Sequence, residues 1–190
     1  RQGGKGHLIV GCDISRTGAG GIGLGGGDRA NLVPAGNAVR NCHIHHFNRL
    51  DRSYKAAVNI DGCGNRIEHC FIHDCPNNAI YLHGNDHVVQ YNDLRRTCLE
   101  ADDMGSFYMG RDPSEAGNVI RHNLWYRNGT DLSDRFCDIY FDDGASGVEV
   151  YGNIFVGSKG WASVFVHAGT YHDIVNNLFK IGRASCRERV

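Results

Sequence analysis

Apolar positions along the chain fall into two kinds of short motif. The first reads apolar, two residues, Cys or Asn, one residue, apolar. It recurs seven times, as Ile9-Cys12-Ile14, Val39-Cys42-Ile44, Ile67-Cys70-Ile72, Val89-Asn92-Leu94, Ile120-Asn123-Trp125, Val150-Asn153-Phe155 and Ile174-Asn177-Phe179. Successive starts differ by 30, 28, 22, 31, 30 and 24 residues. A spacing that wanders around a fixed apolar frame describes stacked coils joined by loops of variable length. The second motif alternates strictly, as in Ala57-Val58-Asn59-Ile60-Asp61, Ala79-Ile80-Tyr81-Leu82-His83 and Asp138-Ile139-Tyr140-Phe141-Asp142. Apolar residues at every second position give a strand with one buried face. No stretch sustains a helical period, which argues against helical and leucine-rich solenoids.

Together these motifs predict an all-β parallel β-helix of about six to seven coils with three short strands per coil, neighbouring rungs pairing at about 4.8 Å. The alternating run is the first strand of a coil. The apolar residues before and after Cys or Asn lie on the second and third. Asn92, Asn123, Asn153 and Asn177 are expected to stack at the bend between those two strands, because Asn tolerates left-handed backbone and bonds locally. Cys12, Cys42 and Cys70 take the same slot as small buried side chains. The pairs Gly36-Asn37, Gly64-Asn65, Gly84-Asn85 and Gly117-Asn118 mark the turn before the second strand.

The 190 residues amount to one domain, the β-helix spanning 1–180. Residues 181–190 break the pattern and resemble an in-frame translation of a sequencing adapter, so they are set aside as a non-native tail, Cys186 included. Both ends of the repeat look truncated, and no signal peptide or initiator Met is present. Net charge is −1 and there is no basic stripe, which argues against nucleic acid as a partner. No apolar run approaches the roughly 20 residues of a membrane span. The eight cysteines have no metal-type pairing, and a coil-to-coil disulfide is allowed by spacing but not required. His45 and His73 are expected side by side, facing outward. They are read as an exposed polar ladder and not a metal site, since no closed four-ligand set accompanies them.

Stacking in register turns the outward residues of the first strands into columns. One reads Gly23, Asn59, Tyr81, Tyr108, Tyr140, Phe165, and the next Gly25, Asp61, His83, Gly110, Asp142, His167. An aromatic column flanked by acids and imidazoles suits a sugar chain, although stacked tyrosines also stabilise neighbouring strands on their own. Candidate substrate-binding residues are Arg111, Tyr81, Tyr108, Tyr140, His83, His167 and Asp61. Acidic residues cluster at Glu100-Ala101-Asp102-Asp103, Arg111-Asp112 and Asp142-Asp143. Glycosidic hydrolysis needs two carboxyl groups, one to donate a proton and one to act as nucleophile or to activate water. The candidate catalytic acids are Asp102, Asp103, Asp142, Asp143 and Asp112. Strand register puts Asp103 and Asp142 at opposite ends of the first strand, over about 20 Å apart if the chain is extended. The two meet only if the loop carrying Asp103 folds back, whereas Asp112 and Asp143 need no such movement.

The segments from Cys98 to Asp112, Gly117 to Asn123 and Ile139 to Gly147 resemble right-handed parallel β-helix proteins of the pectin-lyase-like superfamily. Their acidic stretches are most similar to glycoside hydrolase family one hundred and forty-one. The repeat resemblance covers 6–180 and its specific part roughly 85–170. It implies a secreted or periplasmic protein acting on a polysaccharide or oligosaccharide, monomeric at full length. It also implies catalytic acids at Asp102 or Asp103 and at Asp142 or Asp143. No cofactor is expected for a hydrolase. Two alternatives stand beside it. One is a polysaccharide lyase or epimerase, with calcium admitted as cofactor and Arg111, His83 and His167 as its polar groups. The other is a non-catalytic glycan-binding β-helix.

Overall fold

The computed structural model describes residues 4–131 and 133–180; the predicted tail at 181–190 lies outside the described residues. The strands are all parallel and form three sheets that run along the long axis. The alternating runs make the first sheet, of six strands: Ile22–Leu24, Val58–Ile60, Ile80–Leu82, Met104–Gly110, Phe136–Asp142 and Ala162–Val166. The second and third sheets have seven strands each. In the second, Ile9, Val39, Ile67, Val89, Ile120, Val150 and Ile174 pair successively across the coils. In the third, Ile14, Ile44, Ile72, Leu94, Trp125, Phe155 and Phe179 do the same. The apolar frame of the sequence is therefore the interior of a right-handed parallel β-helix. Its inward residues are almost wholly shielded from water, including Val39, Ile44, Ile67, Ile72, Val89, Leu94, Ile120 and Trp125. Each such side chain contributes about 1.5–3 kcal/mol by leaving water.

The bend slot works as predicted for Asn, but the left-handed backbone falls one residue earlier. Positive φ occurs at Asn41, His69, Tyr91, His122 and Asn176, and at Gly11 and Gly152, each directly before the Cys or Asn. The Asn in the slot is free to bond inward. The backbone N–H groups of Cys70, Asn92, Asn123 and Asn153 donate to the Oδ1 atoms of Asn92, Asn123, Asn153 and Asn177, at 2.9 Å each. Cys42 and Cys70 lie in the same slot, buried, and their thiols face the carbonyls of Ile9 and Val39 at 3.7 Å. Cys12, expected to be buried, is exposed, since among the described residues no coil precedes its own. All the described cysteines are free thiols.

A second ladder runs along the turn before the second sheet. The N–H groups of His7 and Asn37 donate to Asn37 Oδ1 and Asn65 Oδ1, that of Asn65 to His87 Nδ1, and that of His87 to Asn118 Oδ1. His87 therefore fills the slot that Gly84-Asn85 was expected to supply. Asn85 instead faces Cys63 and bonds to the carbonyls of Ser114 and Ala116.

Two strands of the first sheet, Met104–Gly110 and Phe136–Asp142, are seven residues long and buried throughout. The extra length has its own apolar support, a cluster of Cys98, Ala101, Met104, Tyr108, Phe136, Cys137 and Tyr140 packed with Tyr81, Trp161 and Phe165. This small second core holds the loop that carries Asp102 and Asp103 against the sheet.

Candidate active site

The aromatic column forms in register. Gly23 pairs with Asn59, Asn59 with Tyr81, Tyr81 with Tyr108, Tyr108 with Tyr140, and Tyr140 with Phe165. Ring centroids are 5.5 Å apart from Tyr81 to Tyr108 and from Tyr108 to Tyr140, and 5.1 Å from Tyr140 to Phe165. Two aromatic residues outside the column join it from loops. Tyr54 lies 6.1 Å from Tyr108, and Trp161 lies 5.0 Å from Phe165. At the Phe165 end the wall opens into a cleft of about 400 Å³ lined by Asp103, Arg135, Tyr140, Trp161, Phe165 and His167, among others.

Asp142 lies behind this cleft and is the hub of the polar contacts made by its lining residue His167. Gly110, its partner in the neighbouring strand, has no side chain to cover it. Asp142 Oδ2 accepts a 2.7 Å hydrogen bond from the Tyr108 hydroxyl. Its Oδ1 accepts one from His167 Nδ1 at 2.8 Å and one from the Asp143 N–H at 2.9 Å. Burial works against its charge, but these donors and the Tyr140 hydroxyl outweigh it and hold the carboxyl below its ordinary value. The same contacts push the partners the other way. The bond to Asp142 raises His167, and burial followed by the nearby carboxylates raises Tyr108 and Tyr140. With Nδ1 of His167 tied to a carboxylate, Nε2 is the nitrogen left for chemistry on the half-exposed ring.

Asp103 reaches this group despite its place at the far end of the strand. The loop need not cross the sheet, because the Tyr140 side chain spans the distance. Its hydroxyl lies 3.3 Å from Asp103 Oδ1 and also beside Asp142. Two carboxylates that share one hydroxyl have their nearest oxygens within about 7 Å of each other. Arg135 clamps the loop, 3.4 Å from Asp102 and 3.3 Å from Asp103, while Ser133 donates to Asp102 at 2.5 Å. Arg111 lies 3.5 Å from Asp143.

Other expected members lie elsewhere. Asp112 is engaged by other partners: it accepts from the Ser114 N–H and hydroxyl and pairs with Arg29 at 3.2 Å. His83 packs on Tyr81 but bonds to the buried Glu115 at 3.1 Å, a bond that raises its pKa. Asp61 lies against Gly25, at the other end of the sheet from the cleft. Arg135 and Trp161 were missed in the sequence. Arg135 was detectable as the residue before Phe136, in register with Asp103. Trp161 sits in a loop with no periodic signal.

Asp142, Asp143 and His167 bring ligand atoms within 4.8 Å of one another. The set fits calcium poorly. Calcium takes about six to eight oxygens. Here one donor is nitrogen, and the oxygens of Asp142 are already engaged by Tyr108, His167 and the Asp143 N–H.

Among solved structures, an alginate lyase from Paenibacillus sp. str. FPU-7 is similar at 20% sequence identity and a TM-score of 0.52, over 93% of this chain and 65% of that one. The chain thus spans less than two thirds of that enzyme's length, and at this identity the likeness is one of fold. No curated protein matches the sequence. The right handed beta helix region family matches residues 2–179, nearly the whole described chain. With three parallel sheets stacked coil on coil over the same span, the chain belongs to that right-handed β-helix family.

Proposed function

We propose that the protein degrades a uronate-bearing polysaccharide, cleaving it by elimination in the cleft at Asp142 and His167. The observation that carries this reading is the tie between Asp142 and His167 Nδ1, which leaves Nε2 as the unengaged nitrogen of a ring that lines the cleft beside the aromatic wall. Elimination needs a cation for the uronate carboxylate, a base for the proton on the adjacent carbon, and an acid for the departing oxygen. Arg135, half-exposed at the cleft, supplies the cation by exchanging Asp102 or Asp103 for the sugar carboxylate. Neutral His167 Nε2 takes the proton. The electron pair released forms the carbon–carbon double bond, the glycosidic C–O bond breaks, and the Tyr140 hydroxyl protonates the leaving oxygen. A tyrosine whose pKa is pushed up stays protonated until that moment. The sugar rings pack on Tyr140, Phe165 and Trp161. A polysaccharide of this kind lies outside the cell, which agrees with a secreted or periplasmic location.

A second reading keeps the hydrolase. It is favoured by the approach of Asp103 and Asp142 to one hydroxyl and by the resemblance of the acidic segments to glycoside hydrolase family one hundred and forty-one. A carboxyl separation of about 5 Å would mean retention, and about 6.5–9.5 Å inversion. The two chemistries leave different ends. Incubation with alginate and pectate, followed by ultraviolet absorbance and a reducing-end assay, distinguishes them. Elimination gives absorbing unsaturated ends, lost by about 100-fold or more in His167→Ala and Asp142→Asn. Reducing ends without unsaturation indicate the hydrolase. Binding without turnover by the unaltered protein indicates a glycan-binding module and overturns both.

A further inference from the structure

The third sheet carries a histidine cluster on a different side of the molecule from the cleft. His43 and His45 alternate on one short strand and so project from the same face. In register with them, His45 pairs with His73 of the next coil, and Asp13 of the preceding coil pairs with His43. The rings of His43, His45 and His73 lie 4.2–5.0 Å apart, centroid to centroid. One nitrogen from each falls within 4.8 Å of the others. The expected outward ladder of His45 and His73 is present, but His73 is buried and a third imidazole completes the group.

Proton accounting decides what the cluster holds. His73 Nδ1 lies 2.6 Å from Asp74 Oδ2. Asp74 accepts two 2.6 Å hydrogen bonds from Arg96, from Nε to Oδ1 and from one Nη to Oδ2. Asp74 is thus an acceptor, and the proton of His73 is on Nδ1. His43 Nδ1 lies 3.1 Å from Asp13 Oδ2, which places its proton on Nδ1 as well. Both Nε2 atoms are then bare, and they face each other at 2.7 Å. Two lone pairs at that distance repel unless a cation lies between them. Imidazoles oriented through Nδ1 by carboxylates, with bare Nε2 atoms converging, form the arrangement that binds transition metals.

We propose that His43, His45 and His73 form a structural binding site for a divalent transition metal that clips two adjacent coils together. A water completes the set, with Asp13 beside His43 and His45. Imidazole suits zinc, nickel and cobalt. Metal–nitrogen bonds of about 2.0–2.1 Å at a tetrahedral angle place two donors about 3.3 Å apart. His43 and His73 therefore need to separate by roughly 0.6 Å, a small ring rotation for the half-exposed His43.

The test uses nickel and cobalt salts alone, titrated into the whole chain by calorimetry, with thermal unfolding followed in parallel. The unaltered protein is expected to bind one equivalent saturably and to unfold at a higher temperature with metal. His43→Ala, at the exposed rim, and His73→Ala are each expected to weaken binding tenfold or more and to abolish the thermal shift. His122→Ala, outside the cluster, is expected to change neither. Cobalt should give a visible d–d band in the unaltered protein only. Lack of saturable binding, or binding equally strong in His43→Ala, overturns the proposal. If His73→Ala does not fold, His43→Ala decides it alone.

Discussion

A carboxyl buried beneath the cleft strand gives the sharpest energetic prediction. Asp138 is almost wholly shielded from water and accepts one hydrogen bond from Asn128 Nδ2, at 3.0 Å. Burial pushes its pKa up to about 7, from an ordinary 3.8. The folded protein therefore keeps a proton that the unfolded chain gives up at about pH 4. Its contribution to stability is full below the unfolded value, falls as pH rises, and is gone above about 7. The slope is about 1.4 kcal/mol per pH unit, which gives about 3 kcal/mol between pH 5 and pH 7 and little change beyond. Other buried groups tilt the total the opposite way, His87 above all, so the stability of the unaltered protein alone does not isolate Asp138. Asp138→Asn keeps the shape, still accepts from Asn128 and cannot ionise. The stability difference between this variant and the unaltered protein should grow by about 3 kcal/mol from pH 5 to pH 8, in favour of the variant. Urea unfolding at the two pH values measures it. An unchanged difference would show that Asp138 is ionised in the folded state and would refute the reasoning. The point bears on function, because the raised pKa of His167 moves the proton-free base toward higher pH, the direction in which Asp138 costs more.

Two further predictions concern the ladders. Asn123→Ala removes the acceptor for the Asn92 N–H and the donor to the Val89 carbonyl, and should destabilise the fold by about 1–3 kcal/mol in urea unfolding. His87, held neutral by burial, has a pKa lowered to about 4. Its contribution is full above the unfolded value of about 6.5 and is lost as pH falls toward 4, by up to about 3 kcal/mol. His87→Asn restores the ladder's usual acceptor and should flatten that acid loss, seen as a smaller drop in melting temperature between pH 7 and pH 4.5. An equal drop in both proteins counts against burial of a neutral His87.

Much of the fold was legible because a solenoid turns sequence spacing directly into spatial neighbourhood. Once Val89, Ile120 and Val150 were aligned, Tyr81, Tyr108 and Tyr140 had to stack. The site was less legible because it depends on how far side chains reach. Strand register separates Asp103 from Asp142, and only the length and direction of the Tyr140 side chain join them. Asp112 looked well placed on backbone position alone, but Arg29 and Ser114, which come from different coils, claim it. His87 was hidden because an imidazole nitrogen can stand where an amide oxygen does. The left-handed residue before each bend slot carries no consistent identity, being Gly, Asn, His or Tyr, so the neighbouring Asn drew the attention.

Both ladders are wired in one direction. Every slot residue offers its acceptor to the amide of the coil made before it, from Asn177 back to Cys70 and from Asn118 back to His7. Each turn therefore depends on the one that follows it in sequence to satisfy its slot amide, so loss of a later turn strips acceptors from the turn before it and not the reverse.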